Sequence, residues 1–125
     1  MTKLFLIFFL LLLELESAAE IKNINFRITC YWGSHVNCKT GAALKNGVSA
    51  ASDHKIIPYG RLVEIKFGTI TRNFTIHDTG SAVKARTASR GKYPVLDLYF
   101  SNKSKAMKFL STLPRNQIVK ATFRK

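Results

Sequence analysis

Apolar and polar residues alternate with a period of two along several short segments of the chain, a pattern typical of β-strands. The clearest segments are 24–30, 63–67, 74–78 and 117–123. A fifth segment, 95–100, carries apolar residues at both alternating positions and is predicted to be a strand covered on both faces. Glycines and polar residues separate these segments and predict turns.

One segment near residues 103–113 has the three- and four-residue apolar spacing of a short amphipathic helix, and Ser101 is positioned to cap it. Residues 33–47 and 79–93 are rich in small and polar residues, which predicts loops. A short apolar piece at 48–51 completes about six strands. The pattern predicts a mainly β fold, a small closed barrel with one helix.

The N-terminal segment has the features of a secretory signal peptide. Lys3 precedes ten consecutive apolar residues, 4–13, fewer than the roughly 20 that a bilayer-spanning helix needs. Small residues at 17–19 predict cleavage directly after them. The alternative, a buried N-terminal helix, is disfavoured because the apolar run has no polar face. We expect residues 1–19 to be removed, leaving one secreted or periplasmic domain, 20–125, without a stable membrane anchor.

Charge narrows the expected partners. The chain of 125 residues has 20 Lys and Arg against 7 Asp and Glu, a net charge of +13. Without residues 1–19 the balance is 19 basic and 5 acidic residues, or +14. This surplus predicts an anionic partner, and a hydrophobic content of 46% excludes a disordered basic tail. The sequence has no recognisable nucleic-acid-binding motif and the predicted signal peptide also argues against a nucleic-acid partner, whereas a cationic protein suits peptidoglycan or another anionic cell-wall glycan. A role in solubility alone is the alternative.

Cysteine and histidine usage predicts no metal site and no cofactor. Cys30 and Cys38 are too few for a four-cysteine zinc site, and outside the cytosol we expect them to form a disulfide. Two unbonded buried thiols are the alternative. The three histidines, His35, His54 and His77, share no ligand spacing.

Carboxylates are scarce, and two of them share a face of a predicted strand with apolar residues. Asp78 shares its alternating face with the apolar residues of 74–76, and Asp97 shares one with Val95 and Tyr99. A carboxylate on an apolar face is desolvated, which raises its pKa toward the range of a general acid. The alternative, an aspartate that ends its strand and caps a turn, stays open for Asp78. Asp97 instead interrupts an apolar strand, where aspartate is disfavoured.

Four blocks of sequence resemble the three-aspartate (3D) domain family. They read AASD at 50–53, IPYG at 57–60, HDTGSAV at 77–83 and VLDLYF at 95–100. This domain is found in membrane-bound lytic transglycosylase A and in stationary-phase survival proteins, and it is similar to rare lipoprotein A and expansin barrels. The resemblance covers roughly 28–123. It implies a six-stranded double-psi β-barrel with an aspartate cluster in a sugar-binding groove, and peptidoglycan cleavage as the activity.

The resemblance also implies roles for three aspartates. Asp97 matches the catalytic aspartate, which acts as general acid and then base in a lytic transglycosylase that forms a 1,6-anhydro-muramic acid end. Asp78 matches the second aspartate and would raise the pKa of Asp97. Asp53 matches the first and would orient the site. The chain departs from the family pattern at Ser81, where a glycine is usual, and in a longer loop between the second and third aspartates.

Aromatic and hydroxyl side chains near these blocks are the expected sugar contacts. Tyr31 and Trp32 follow the first predicted strand, and their position favours covering one end of the barrel, with stacking on a sugar ring as the functional alternative. Thr79 and Tyr99 belong to the matching blocks and are expected to line the groove. The competing functions are a non-catalytic, expansin-like glycan-binding barrel and a secreted toxin or inhibitor on the same fold. We expect a monomer in each case.

Overall fold

The computed structural model describes most of the predicted domain. The described residues are 20–33, 41, 43–80, 83 and 92–125. The predicted signal peptide, Cys38, Ser81 and most of the loop predicted at 79–93 lie outside them. In the part of the chain that is described, no helix has the length and apolar character needed to cross a membrane.

Six strands and one helix follow one another along the chain. They are β1 (Ile21–Trp32), β2 (Ser49–Ala51), β3 (Leu62–Phe67), β4 (Ile70–Asp78), β5 (Val95–Phe100), α1 (Lys103–Leu110) and β6 (Ile118–Arg124). The strands close into a barrel in the order β1-β5-β2-β4-β3-β6. The pairs β1–β5 and β2–β4 are parallel, and the other four are antiparallel. The predicted mainly β, closed six-stranded barrel with one short helix is confirmed, and its two parallel pairs agree with a double-psi arrangement.

The helix is shorter than the sequence pattern suggests. Asn102, not Ser101, caps its first turn, because the Asn102 backbone is extended and its Oδ1 accepts a hydrogen bond from the Lys105 N–H at 2.9 Å. The helix ends at Leu110, and the Ser111 N–H bonds to the carbonyl of Met107. The predicted end near residue 113 is therefore too late by about one turn.

The barrel interior is filled by apolar side chains from every strand, with α1 packed against them. The largest fully buried members are Phe26, Phe74, Ile28, Ile57, Ile65, Ile76, Leu96, Leu98 and Val63. Phe109 of α1 joins this main core, where its ring contacts those of Phe67, Phe74 and Phe100 at centroid distances of 5.4–6.1 Å. This packing fixes β5 within the barrel.

A second, smaller cluster covers the other side of β5. It consists of Ala51, Val83 and Val95, with Tyr31 packed against it. Because the main core holds the even-numbered residues of β5 and the second cluster lies by the odd-numbered ones, the strand is covered on both faces, as predicted. Asp97 lies on the odd-numbered face.

An irregularity in the pairing of β2 with β4 changes the position of Asp78. Ala50 pairs with Ile76, but the next residue, Ala51, pairs with Asp78, so that β4 carries one extra residue, His77. A bulge of this kind interrupts the strict alternation of faces. The expectation that Asp78 shares a face with Phe74 and Ile76 is therefore wrong, since Asp78 lies beside Ala51 and the second cluster.

Substitution of Phe26 tests how much the main core contributes to the free energy of unfolding. Its side chain is fully buried and its ring lies 6.2 Å from that of Phe123. Phe26→Ala leaves a cavity, and we expect the free energy of unfolding to fall by about 3–5 kcal/mol in urea denaturation. Asn25→Ala, at the exposed neighbouring position of β1, is the matched control and should change it by less than about 0.5 kcal/mol. Equal effects of the two substitutions would contradict this core assignment.

Candidate active site

Asp97 occupies the middle of β5 between two neighbouring strands. Its Cα partner on β1 is Thr29 and its partner on β2 is Ala51. Thr29 Oγ1 donates a hydrogen bond to Asp97 Oδ1 at 2.8 Å. This bond compensates for the placement of an aspartate within an apolar strand, which the sequence alone left unexplained.

Asp78 ends β4, and both of its carboxylate oxygens accept hydrogen bonds. The Tyr31 hydroxyl donates to Oδ2 at 3.2 Å, and the Thr79 N–H donates to Oδ1 at 2.9 Å. Its backbone carbonyl accepts from the Ser52 N–H at 3.2 Å and lies 3.1 Å from His54 Nε2. These contacts fix both the backbone and the carboxylate of Asp78.

The two aspartates flank one small residue. Ala51 pairs with Asp97 on one side and with Asp78 on the other, so the three positions form a row across β5, β2 and β4. A larger side chain at Ala51, which is 4% exposed, would displace its packed neighbours. The sequence-based prediction that Asp97 and Asp78 lie together is supported by this register, which the bulge creates.

Burial gives Asp97 an unusual protonation equilibrium. The pKa of Asp97 is raised to about 6: desolvation by burial is the largest cause, the hydrogen bond from Thr29 lowers the pKa, and the negative charge of Asp78 adds a smaller increase. The carboxyl group therefore exchanges a proton near neutral pH, as a residue that acts first as an acid and then as a base must do.

The thiol of Cys30 lies close enough to Asp97 to be affected by its negative charge. Burial and the negative charge of Asp97 raise the pKa of the Cys30 thiol to about 12, which keeps it protonated. Cys30 is half-buried and has no disulfide partner among the described residues, and Cys38 lies outside them. The disulfide between them stays a prediction.

Asp53 does not join the other two aspartates through any described side-chain contact. Its Oδ1 accepts a hydrogen bond from the Lys55 N–H at 3.0 Å, and its carbonyl accepts from the N–H groups of Ile56 and Ile57. Asp53 thus begins a local turn. Its chain neighbour Ser52 bonds to Asp78, so an effect on the site through the backbone stays a prediction.

The four expected sugar contacts differ in their exposure. Trp32 is 42% exposed, whereas Tyr99 is 3% exposed. The Tyr99 hydroxyl donates to the Gly33 carbonyl, and its ring lies 5.4 Å from that of Tyr31. Tyr31 and Thr79 are half-buried beside Asp78. Trp32 thus offers a ring to a ligand directly, and the assignment of Tyr99 as a sugar contact stays a prediction.

A second aromatic group beside Asp78 was not recognised in the sequence. Tyr59, 49% exposed, lies 6.0 Å from the ring of His54 and 6.3 Å from that of His77. His77 Nδ1 lies 2.8 Å from the buried Ser49 Oγ. Among the described residues, no three His, Cys, Asp or Glu side chains are grouped to hold a metal ion. The position of Tyr59 in the IPYG turn was the one available signal for this group.

The raised pKa of Asp97 predicts a pH-dependent cost in stability. In the folded protein its proton is held up to about pH 6, against an ordinary value of 3.8, so the stability present at low pH is lost as the pH rises through 6. Asp97→Asn cannot ionise. We expect its free energy of unfolding to exceed that of the wild type by about 2 kcal/mol at pH 7.5 and to equal it at pH 3.5.

Urea denaturation at both pH values measures this difference. Glu64→Gln is the control, because Glu64 lies on β3 and forms an ion pair at the surface with Lys66 of the same strand. It should change the free energy of unfolding by less than about 0.5 kcal/mol at either pH. An Asp97→Asn effect that is the same at pH 3.5 and pH 7.5 would show that ionisation of Asp97 is not its source.

Comparison with solved structures identifies proteins with a similar barrel. An apo form of a variant of the E. coli lytic transglycosylase MltA is similar with a TM-score of 0.52 and 17% identity, over 74% of this chain and 28% of that chain. MltA from E. coli has a TM-score of 0.49 and 18% identity, over 73% of this chain and 27% of that chain. E. coli MltA with bound chitohexaose has a TM-score of 0.46 and 19% identity, over 74% of this chain and 28% of that chain.

These likenesses concern the fold. The chain spans little more than a quarter of the length of the MltA structures. Its sequence matches no protein-family model and no curated protein. What this chain shares with the E. coli lytic transglycosylase is the barrel architecture.

Proposed function

We propose that this protein cleaves the glycan strands of peptidoglycan as a lytic transglycosylase of the 3D-domain type. One observation carries the proposal: Asp97, with a pKa of about 6, lies across a single alanine from a second aspartate, Asp78. The barrel that it shares with an E. coli lytic transglycosylase supports the same activity. In this proposal residues 1–19 direct export, and the protein acts as a monomer on the cell wall.

Asp97 performs both proton transfers in the proposed reaction. Its protonated form donates a proton to the oxygen of the glycosidic bond after N-acetylmuramic acid, and the bond from that oxygen to C1 breaks. The resulting carboxylate then removes the proton from the C6 hydroxyl, whose oxygen bonds to C1 and closes the 1,6-anhydro ring. Because the attacking oxygen belongs to the substrate, one acid–base residue suffices where most glycosidases use two carboxylates.

Asp78 supplies the electrostatic support. An oxocarbenium-like transition state carries positive charge at C1, and a fixed negative charge nearby stabilises it. The hydrogen bonds from Tyr31 and Thr79 hold the Asp78 carboxylate in one orientation. The proposed role of Asp53 is to shape the turn that precedes this site, since its side chain bonds to the Lys55 N–H.

Exposed aromatic rings extend the proposed substrate groove. Trp32 lies at the end of β1, next to Tyr31, and offers an open ring for stacking on a sugar. Thr79 and Tyr99 complete the proposed contacts. The surplus of basic residues would favour retention on a wall that carries carboxylates and other anionic groups.

Substitution of Asp97 tests the activity directly. The purified protein is incubated with bacterial sacculi, and anhydro-muropeptides are measured by mass spectrometry. We expect Asp97→Asn to lower their release by about 10²- to 10⁴-fold, because the residue can no longer donate a proton. Glu64→Gln removes a carboxylate elsewhere on the barrel and should retain activity.

Two results would contradict the assignment. Undiminished release by Asp97→Asn would remove Asp97 from the reaction. Binding of sacculi without any release by the wild type would favour the non-catalytic, expansin-like barrel instead.

The pH dependence tests the coupling between the two aspartates. The first step requires protonated Asp97, so kcat/KM should fall about tenfold per pH unit above pH 6. The charge of Asp78 raises the pKa of Asp97, and Asp78→Asn should therefore move this fall to lower pH. Glu64→Gln should leave it in place. A profile that Asp78→Asn does not shift would mean that Asp78 has no electrostatic effect on the acid.

A further inference from the structure

We infer that the protein has a second binding site, specific for a phosphate-bearing chain, in a groove between α1 and the start of β4. This basic groove has a volume of about 400 Å³ and is lined by Arg72, Lys105 and Lys108, with Gly47, Phe100 and Phe109 at its walls. Neither Asp78 nor Asp97 lines it. The inference goes beyond the proposed glycan cleavage and does not depend on it.

Arg72 is held in place by aromatic rings. Its guanidinium carbon lies 5.4 Å from the ring centroid of Phe74 and 5.2 Å from that of Phe109, and Nη2 donates to the Gly47 carbonyl at 3.5 Å. Gly47 has φ +66, a backbone conformation that glycine adopts without strain. A guanidinium that uses one N–H on the Gly47 carbonyl retains further N–H donors for an oxyanion.

Two lysines line the same groove as Arg72. Lys105 and Lys108 are three residues apart on α1 and therefore share one face of the helix with Phe109, and Thr112 lines the groove just after the helix ends. Lys103 of the same helix does not line the groove. Because the helix is anchored by the buried Phe109, both lysines project from a fixed base.

No described carboxylate balances these three charges. Ion pairs join Lys22 to Glu20 and Lys66 to Glu64, and none of these four residues lines the groove. Like charges gathered without a counter-charge repel one another, and a bound anion relieves that repulsion.

The number and type of cations indicate the ligand. A single carboxylate would leave two of the three positive charges unmatched, whereas consecutive phosphates supply several negative charges within one groove. The planar fork of Arg72 suits bidentate phosphate contacts, and the two lysines act as mobile point charges around them. The groove thus fits a segment of a phosphate-bearing polymer.

Binding of tripolyphosphate to the purified protein tests the inference. Titration calorimetry at low ionic strength is performed on the wild type, on Lys105→Gln/Lys108→Gln and on the control Lys103→Gln/Lys120→Gln. Both double variants lose two exposed positive charges, so their net charges are equal. We expect the groove variant to raise Kd at least tenfold and the control to raise it less than threefold.

Further variants separate specific binding from general attraction. Arg72→Lys keeps the charge but loses the planar fork, and should raise Kd severalfold without unfolding the protein. Asp97→Asn should bind tripolyphosphate as the wild type does, even if the proposed cleavage fails. Equal weakening in the two double variants would overturn the site, because it would show that net charge alone drives binding. Citrate binding as tight as that of tripolyphosphate would overturn the preference for phosphate.

Discussion

Burial of Asp97 on a strand that is covered on both faces is the constraint on which the site depends. β5 pairs with β1 and β2 and contributes Leu96, Leu98 and Phe100 to the main core, so its position cannot adjust to hydrate the aspartate. The carboxylate instead takes a hydrogen bond from Thr29 and retains its proton up to about pH 6. A rigid core thus imposes the protonation behaviour that the proposed chemistry needs.

The bulge between β2 and β4 supplies the second half of the site. With regular pairing, the alternation of faces would direct Asp78 toward Phe74 and Ile76 in the main core, where an ionised carboxylate is costly. The extra residue at His77 brings Asp78 opposite Ala51 instead, within reach of the Tyr31 hydroxyl. Two carboxylates therefore become neighbours across one small residue, and their mutual repulsion contributes to the raised pKa of Asp97.

The fold and the position of Asp97 could be predicted from local periodicity, because alternation along an apolar strand shows which residues share a face with its single aspartate. The neighbours of Asp78 could not be predicted in this way, because a bulge depends on how two strands pair and leaves no periodic signal in the sequence of either strand. The same limit applies to Tyr59, which meets His54 and His77 only when the barrel closes. Resemblance to the 3D domain grouped Asp53 with the other aspartates, but its described side-chain contact lies within its own turn.

β5 also joins the aspartate site to the basic groove. Asp97 and Phe100 are three residues apart, about 10 Å along an extended strand, and the Gly47 N–H bonds to the carbonyl of Tyr99 between them. The two sites lie on opposite faces of β5, because Asp97 is on the odd-numbered face and Phe100 belongs to the main core, so a polymer that carries both a cleavable glycan and phosphate groups would have to pass around this strand to reach both. Occupation of the groove would then raise the effective concentration of glycan at Asp97, provided that the polymer spans this distance. If both proposals hold, the positive charge would retain the substrate, while the few carboxylates would perform the proposed reaction.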